Sequence, residues 1–489
     1  MKKTGYILIT GIIFLLSFRL YSALFYPALN SDNAVGILMV HYFHLPHDWY
    51  AWGQDRMGSL IPLLAQIPHR LFHWSALTSE SVIHYGILLL GFLAFASFLK
   101  SKFYRVVFAI VWFFPPMRLI DVTQFAFGIQ YSLIAMACYL LSRSDKASVR
   151  GKPVVYHLIL LATVLVLISA VWVSDLAVVS VVLLLGIRLF FLVKENGPQS
   201  PVLRNSGIYY AVATIVAGGW FILYAKANAG AGHNYAAIDS LHTFGRALGI
   251  FTKTVVDLFL FRANEPFTSV YSWLVLLILG FAVSRIRKME WNDTIRKWGI
   301  FFLLDAVVVF AVIMLSRWTF LNNVPRRYFT CTYISLSFVV LLVFDNGHLR
   351  GKQLKMWQAF IALTVVIGGA GTIYNLKYIW PGTLTPKVKV VGEFKQLGKI
   401  GVIAEYWNSY ITSCVDPEMI KATPHDTTWA VKSREQVKEV FEQKNIYVIR
   451  DMWLKSFPDT LKEFGHTLLK DGEPFHIGDC DVCKYAKTE

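Results

Sequence analysis

Apolar runs of about 18–22 residues recur along the chain, separated by segments where charge, proline and glycine collect. A helix of that length crosses a hydrocarbon core of ~30 Å. Eleven such runs can be read, at about residues 5–26, 82–99, 103–120, 122–141, 155–173, 175–193, 206–225, 269–284, 298–316, 328–344 and 356–378. The third is broken by Pro115-Pro116 and closes on Arg118 and Asp121. Two intervening segments are long, 27–81 and 226–268, and loops of that length seldom exist without a task. In the first, Ala34–Phe43 and Ser59–Phe72 carry apolar residues at helical spacing, which predicts juxtamembrane helices lying in the interface. The second opens with the flexible stretch Asn228–Tyr235 and predicts an amphipathic helix over Leu241–Phe261.

Beyond Pro386 the period changes. A helix near Val388–Leu397, a strand Ile400–Ala404 and a helix after Trp407 are expected. A strand near Met419–Ala422, a helix Arg434–Gln443 and a strand Ile446–Ile449 follow, which reads as a small α/β unit. The expected architecture is an α-helical polytopic membrane protein with about 11 transmembrane helices. It divides into a membrane domain, residues 1–380, and a C-terminal α/β soluble domain, residues 381–489.

Composition agrees: of 489 residues, 55% are hydrophobic and only 16% charged, too few charges for a soluble chain of this size. The net charge of +16 would suit a nucleic-acid binder, but its distribution does not. From Pro381 onward 15 basic residues meet 16 acidic ones, whereas the first 380 residues hold 32 basic and 15 acidic. The surplus therefore sits in the loops of the membrane part, and no nucleic-acid partner is implied. It favours one side, with Lys100, Lys102 and Arg105, then Arg143 and Lys146, then Arg285, Arg296 and Lys297, then Arg350, Lys352 and Lys355. That bias puts the N-terminus in the cytoplasm and the C-terminal unit outside. Met1-Lys2-Lys3 and the apolar run to Tyr26 then read as a retained signal anchor. The glycan-acceptor pattern at Asn292 falls on the cytoplasmic side and implies no glycan.

Several polar residues stand at the outer ends of spans. Asp32, just past the first span, reads either as a helix cap or as a general base facing a substrate at the membrane surface. Asp55-Arg56, flanked by Gly53 and Gly58, is either a self-satisfied ion pair or a device that orients a sugar hydroxyl while the guanidinium meets a phosphate. Arg118, Arg317, Arg326 and Arg327 either snorkel to headgroups or grip an anionic lipid phosphate. The run Asn323-Val-Pro-Arg326-Arg327-Tyr328-Phe329 favours the second role. His44-x-x-His47 could offer two metal ligands but has no third at suitable spacing, so interfacial aromatics are expected. Cys138 and Cys331 fall inside spans. Cys480-x-x-Cys483 reads as a redox or metal pair, or as one partner of a disulfide with Cys414.

At these residues the chain resembles the GT-C superfamily of polytopic glycosyltransferases. That group includes dolichyl-phosphate-mannose protein mannosyltransferases and lipid A aminoarabinose transferases. The resemblance lies in Asn30-Ser31-Asp32-Asn33 after span one, in the long first outer segment, and in Arg327-Tyr328 opening a late span. Ala404-Glu405-Tyr406-Trp407-Asn408-Ser409-Tyr410 is similar to an Ala-Asp/Glu-Tyr-Trp-x-x-Tyr run of bacterial relatives. Where the mannosyltransferases carry a paired Asp-Glu, this chain has Asp32-Asn33. The resemblance implies Asp32 as catalytic base and a polyprenyl-phosphate sugar as donor, with inversion at the anomeric carbon. Arg327, Arg56 and Arg118 would hold the phosphate, with Asp55, Arg326 and Tyr328 beside it, and the 226–268 segment would order over the donor.

The expected function is a membrane glycosyltransferase that moves a sugar to an envelope glycan, lipid or protein acceptor on the extracytoplasmic face. A bacterial inner membrane and bound membrane lipids fit it. The sequence specifies no cofactor, and it leaves a divalent metal as an option. The alternative is a transporter or flippase of lipid-linked glycans, for which internal repeats and a mid-span charge such as Asp305 would speak.

Overall fold

A computed structural model describes residues 2–149, 152–196, 201–229, 237–238, 240–286, 293–347, 349–379, 384–428 and 432–488. Most of the stretch Asn228–Tyr235, and the acceptor pattern at Asn292, lie outside these residues. The membrane part opens with α1 (Lys3–Tyr21), the juxtamembrane helices α2 (Ser31–His41) and α3 (Leu60–Phe72), and α4 (Ala76–Ala96). It continues through α5 (Lys102–Phe113), α6 (Asp121–Gln124), α7 (Ala126–Val149), α8 (Pro153–Val173), α9 (Ala177–Asn196) and α10 (Pro201–Ala227). The second long segment forms α11 (Leu241–Phe259), followed by α12 (Pro266–Ile286), α13 (Asp293–Leu315), α14 (Arg317–Leu321), α15 (Thr330–Asn346) and α16 (Gly351–Ile379).

Among the described residues, nine helices are long and apolar enough to cross a membrane. Two of the eleven expected spans are of another kind. Helix α5 has 12 residues, about 18 Å, and stops before Pro115-Pro116. Carbonyls at and just past its end are taken up by neighbours: the Tyr333 hydroxyl donates to Val111 O at 3.1 Å and Thr372 Oγ1 to Pro115 O at 2.6 Å. Helix α7 is long enough at 24 residues but is less apolar, burying Gln130, Tyr131 and Ser132 in its first half.

Polar side chains tie the bundle internally. The carboxyl of Asp305, fully buried on α13, accepts from Tyr131, Ser180 and Ser335 at 2.5, 2.5 and 2.8 Å, one hydroxyl each from α7, α9 and α15. Asp145 on α7 pairs with Arg188 of α9 and Lys297 of α13, both at 2.9 Å and both cations buried.

The C-terminal residues run α17 (Lys387–Val391), a 3-10 turn (Gly392–Leu397), β1 (Ile400–Ala404), α18 (Tyr406–Ser413), β2 (Ile420–Pro424), α19 (Arg434–Phe441) and β3 (Ile446–Arg450). Four further strands follow, β4 (Thr460–Glu463), β5 (His466–Lys470), β6 (Phe475–Ile477) and β7 (Cys480–Lys487). The sheet order is β2-β1-β3-β7-β5-β4, with β6 paired to β7. Strands β2, β1 and β3 are parallel, as helix crossovers require, and β7, β5 and β4 join antiparallel. Cys480 and Cys483 stand three apart on β7 and therefore enter opposite faces. Cys480 packs beside Phe394 and Val402, and Cys483 beside Ile403 and Val440. Cys414 lies in a third cluster, and all five cysteines are free and buried.

Helix α3 has the expected amphipathic form, burying Leu60 and Ala65 while exposing Ile67 and Leu71. Helix α2 does not lie at a water interface. Its Ala34, Val35, Ile37, Leu38, Met39 and Val40 are all buried, in a core shared with Val388, Val391, Tyr410, Ile411 and Cys414 of the C-terminal residues.

Candidate active site

Asn30 caps α2, its Oδ1 accepting from Asn33 N at 2.9 Å. Asp32 is thus relieved of capping and stands half-buried in the first turn. The Asn33 amide donates to Gln124 O at 2.7 Å, which locks α2 onto α6 and brings Asp121 near. Burial raises the Asp32 pKa, while a hydrogen bond from Tyr406 (3.3 Å to Oδ1) and the charges of Arg327 and Arg56 pull it down. The Asp121 carboxyl is pushed up to about 7 by burial, with Arg327 opposing and the Asp32 charge adding. Asp32 thus lies within electrostatic reach of Arg56, Arg327 and Asp121, each from a separate segment, and Asp121 within reach of Arg327.

Each cation is held by a built turn. Arg56 lies in the Tyr50–Gly58 loop, closed by a β-bridge between those residues and by Ala51 N donating to Met57 O at 2.8 Å. Gly53 supplies the left-handed turn at φ +74. Gly58 runs so close to α8 that a Cβ would sit 2.2 Å from Trp172 O. Asp175 N donates to Arg56 O at 3.3 Å, and the Arg56 guanidinium lies 5.5 Å from the Trp318 ring. Arg327 is exposed on a 3-10 turn, Arg326–Phe329, with its guanidinium 5.5 Å from the Tyr328 ring. Before it, Asn323 and Val324 both have positive φ, at 64 and 51. That conformation is costly for a β-branched residue, and such outliers concentrate at functional sites.

The other site residues expected from sequence are spread more widely. Asp55 approaches Asp175 and Tyr50, and Asp175 is paired with Lys226 at 2.6 Å. Arg118 is exposed in a left-handed conformation, φ +71, near Tyr26. Arg326 points elsewhere, forming a bidentate pair with Glu265 at 2.6 and 2.9 Å. His44 Nδ1 lies 2.6 Å from the Tyr42 carbonyl. Among the described residues no three His, Cys, Asp or Glu side chains form a metal-binding group.

Four positions at the site carry no role in the sequence reading: Asp121, Glu80, His84 and Tyr406. A cavity of about 590 Å³, counted with its open mouth, is lined by Asp32, Met39, Met57, Ile61, Glu80 and His84 among others. Glu80 and His84, one turn apart on α4, are both buried with 3.8 Å between them, and His84 Nε2 has no hydrogen-bond partner among the described residues. Two ionisable residues opening an apolar span were the available signal.

No protein-family model matches the sequence, and no curated protein matches it either. Among solved structures, the chain is similar to ArnT from Cupriavidus metallidurans in the apo state. The TM-score is 0.57 at 9% identity, over 98% of this chain and 98% of that one. The archaeal oligosaccharyltransferase AglB from Archaeoglobus fulgidus, in complex with an inhibitory peptide and a dolichol-phosphate, aligns at a TM-score of 0.40 and 11% identity. That alignment covers 91% of this chain and 69% of that one, too distant a likeness to argue from. The likeness to ArnT shows the fold: an ArnT-like helical architecture with a small C-terminal sheet.

Proposed function

We propose that the chain is a membrane glycosyltransferase that moves one sugar from a polyprenyl-phosphate donor to a glycan, lipid or protein acceptor of the cell envelope. The observation that carries this reading is the convergence of Asp32 with Arg56 and Arg327 on a GT-C-type fold. Asp32 removes the proton from the acceptor hydroxyl as that oxygen attacks the anomeric carbon, with inversion. The C–O bond to the phosphate breaks, and Arg56 and Arg327 stabilise the charge that gathers on the leaving phosphate. Asp55 orients a sugar hydroxyl. Tyr328 backs Arg327, Arg118 offers a further cation for the phosphate, and Arg326 holds the 226–268 segment through Glu265. The charge bias of the loops supports a reaction on the extracytoplasmic side of a bacterial inner membrane, with the N-terminus in the cytoplasm.

The transporter alternative gains little from Asp305, because three hydroxyls from three helices clamp its carboxyl as an internal tether. The test is to offer purified protein undecaprenyl-phosphate linked to glucose, galactose, mannose or 4-amino-arabinose, and to follow release of undecaprenyl phosphate in the presence of envelope lipid and glycan acceptors. Turnover by the wild type and its loss in Asp32→Asn, with folding unchanged, is the expected result. Full turnover in Asp32→Asn refutes the assignment.

A further inference from the structure

Tyr406 is the first residue of α18, and Asp32 stands in the first turn of α2, so two helix starts from distant parts of the chain face each other. Packing fixes the approach. Glu405 caps α18 by accepting from Trp407 N at 2.8 Å. The Tyr406 ring lies 5.4 Å from that of Tyr410, which is 1% exposed and buried in the same cluster as Ala34, Val35 and Leu38 of α2. On the other side, Asn33 binds Gln124 O, so α2 cannot slide away from α6. The Tyr406 hydroxyl then donates to Asp32 Oδ1 at 3.3 Å.

We infer that Tyr406 is a positioning residue for Asp32, which makes the C-terminal sheet unit a working part of the catalytic centre. The inference rests on the reading of Asp32 as the base. A carboxylate acting as a base must turn one oxygen to the acceptor hydroxyl. A phenol donating to Oδ1 fixes the carboxylate plane, leaves Oδ2 for the acceptor, and stabilises the ionised form that does the work.

The charged and titratable groups around Asp32 come from several elements: Arg56 from the outer turn, Arg327 ahead of α15 and Asp121 from α6. Glu80 and His84 on α4 line the same cavity. Arg56 and Arg327 act on Asp32 as charges, and their proposed partner is the donor phosphate. Tyr406 brings an uncharged hydroxyl to the carboxylate, which suits orientation more than charge balance.

The test measures kcat/KM against pH for sugar release from the best undecaprenyl-phosphate donor of the panel above. It uses full-length protein in lipid nanodiscs as wild type, Tyr406→Phe, 3-fluorotyrosine at position 406, and Asp32→Asn. Tyr406→Phe keeps the ring contacts and removes the donor, so the acid limb should move up by about one pH unit, with about tenfold less activity below it and recovery above it. Fluorotyrosine is the stronger donor and should move the limb down. If neither variant moves the limb while Asp32→Asn is inactive, Tyr406 serves packing alone and the inference falls. If Asp32→Asn is fully active, the reading of Asp32 falls instead, so the two failures are distinct. Should Tyr406→Phe not fold, the fluorotyrosine protein, which keeps both ring and hydroxyl, decides the matter.

Discussion

The hydroxyl of Tyr42 donates to Glu439 Oε2 at 2.7 Å, joining the end of α2 to α19 across 397 positions of sequence. Lys421 Nζ reaches both partners at 3.2 Å, so one phenol, one carboxylate and one ammonium close the polar edge of the interface whose apolar middle holds α18 against α2. Removing one member strands the others. Glu439→Ala should loosen the C-terminal unit by about 1–3 kcal/mol, read as faster protease cleavage after residue 386. Tyr42→Phe combined with Glu439→Gln should cost less than the sum of the single changes.

Gly58→Ala places a methyl group against the Trp172 carbonyl. The backbone cannot give way without moving the turn that carries Asp55 and Arg56. We expect a loss of about 1–3 kcal/mol in stability and a rise in donor KM, measured by thermal unfolding in detergent and by initial rates.

Asp145→Ala leaves the guanidinium of Arg188 and the ammonium of Lys297 buried without their shared carboxylate. A broken buried pair typically costs about 3–5 kcal/mol. The variant should unfold well below the wild type. Adding Arg188→Met and Lys297→Met should restore much of the difference.

The carboxyl of Asp121 titrates at about 7 in the folded chain, raised chiefly by burial. A raised acid favours the folded state while it is protonated, and that advantage is lost as pH climbs through the folded value. Asp121→Asn removes the dependence. Its melting temperature relative to the wild type should therefore increase between pH 5 and pH 8, and a constant difference would contradict the assignment.

Much of this fold was legible because the bilayer imposes one length and one polarity on every crossing segment. The runs before Tyr21, Val173 and Leu315 stand out for that reason. The shortness of α5 is visible in its Pro115-Pro116 break, whereas nothing local distinguishes α7, a hydroxyl-rich helix packed among others, from one that meets lipid. The α/β half of the C-terminal unit is visible in its alternating pattern, but β4 to β6 are short, turn-linked and partly exposed, and carry no comparable signal. The spacing of Cys480 and Cys483 looked like chemistry until the strand put the two sulfurs on opposite faces. Asp32 announced itself by its place after the first span. Its neighbours did not, because Asp121 and Tyr406 reach it through tertiary packing that no local pattern encodes.

Helix α2 is apolar around nearly its whole circumference, and residues 388–414, which share its core, follow it by most of the chain's length. A nascent chain must therefore shield this helix temporarily, through lipid or a chaperone, until residues 388–414 emerge and settle on it. A truncation near residue 380 would strip the Asp32 carboxylate of its wall and leave a sticky helix in the open, prone to aggregation and to removal by quality-control proteases.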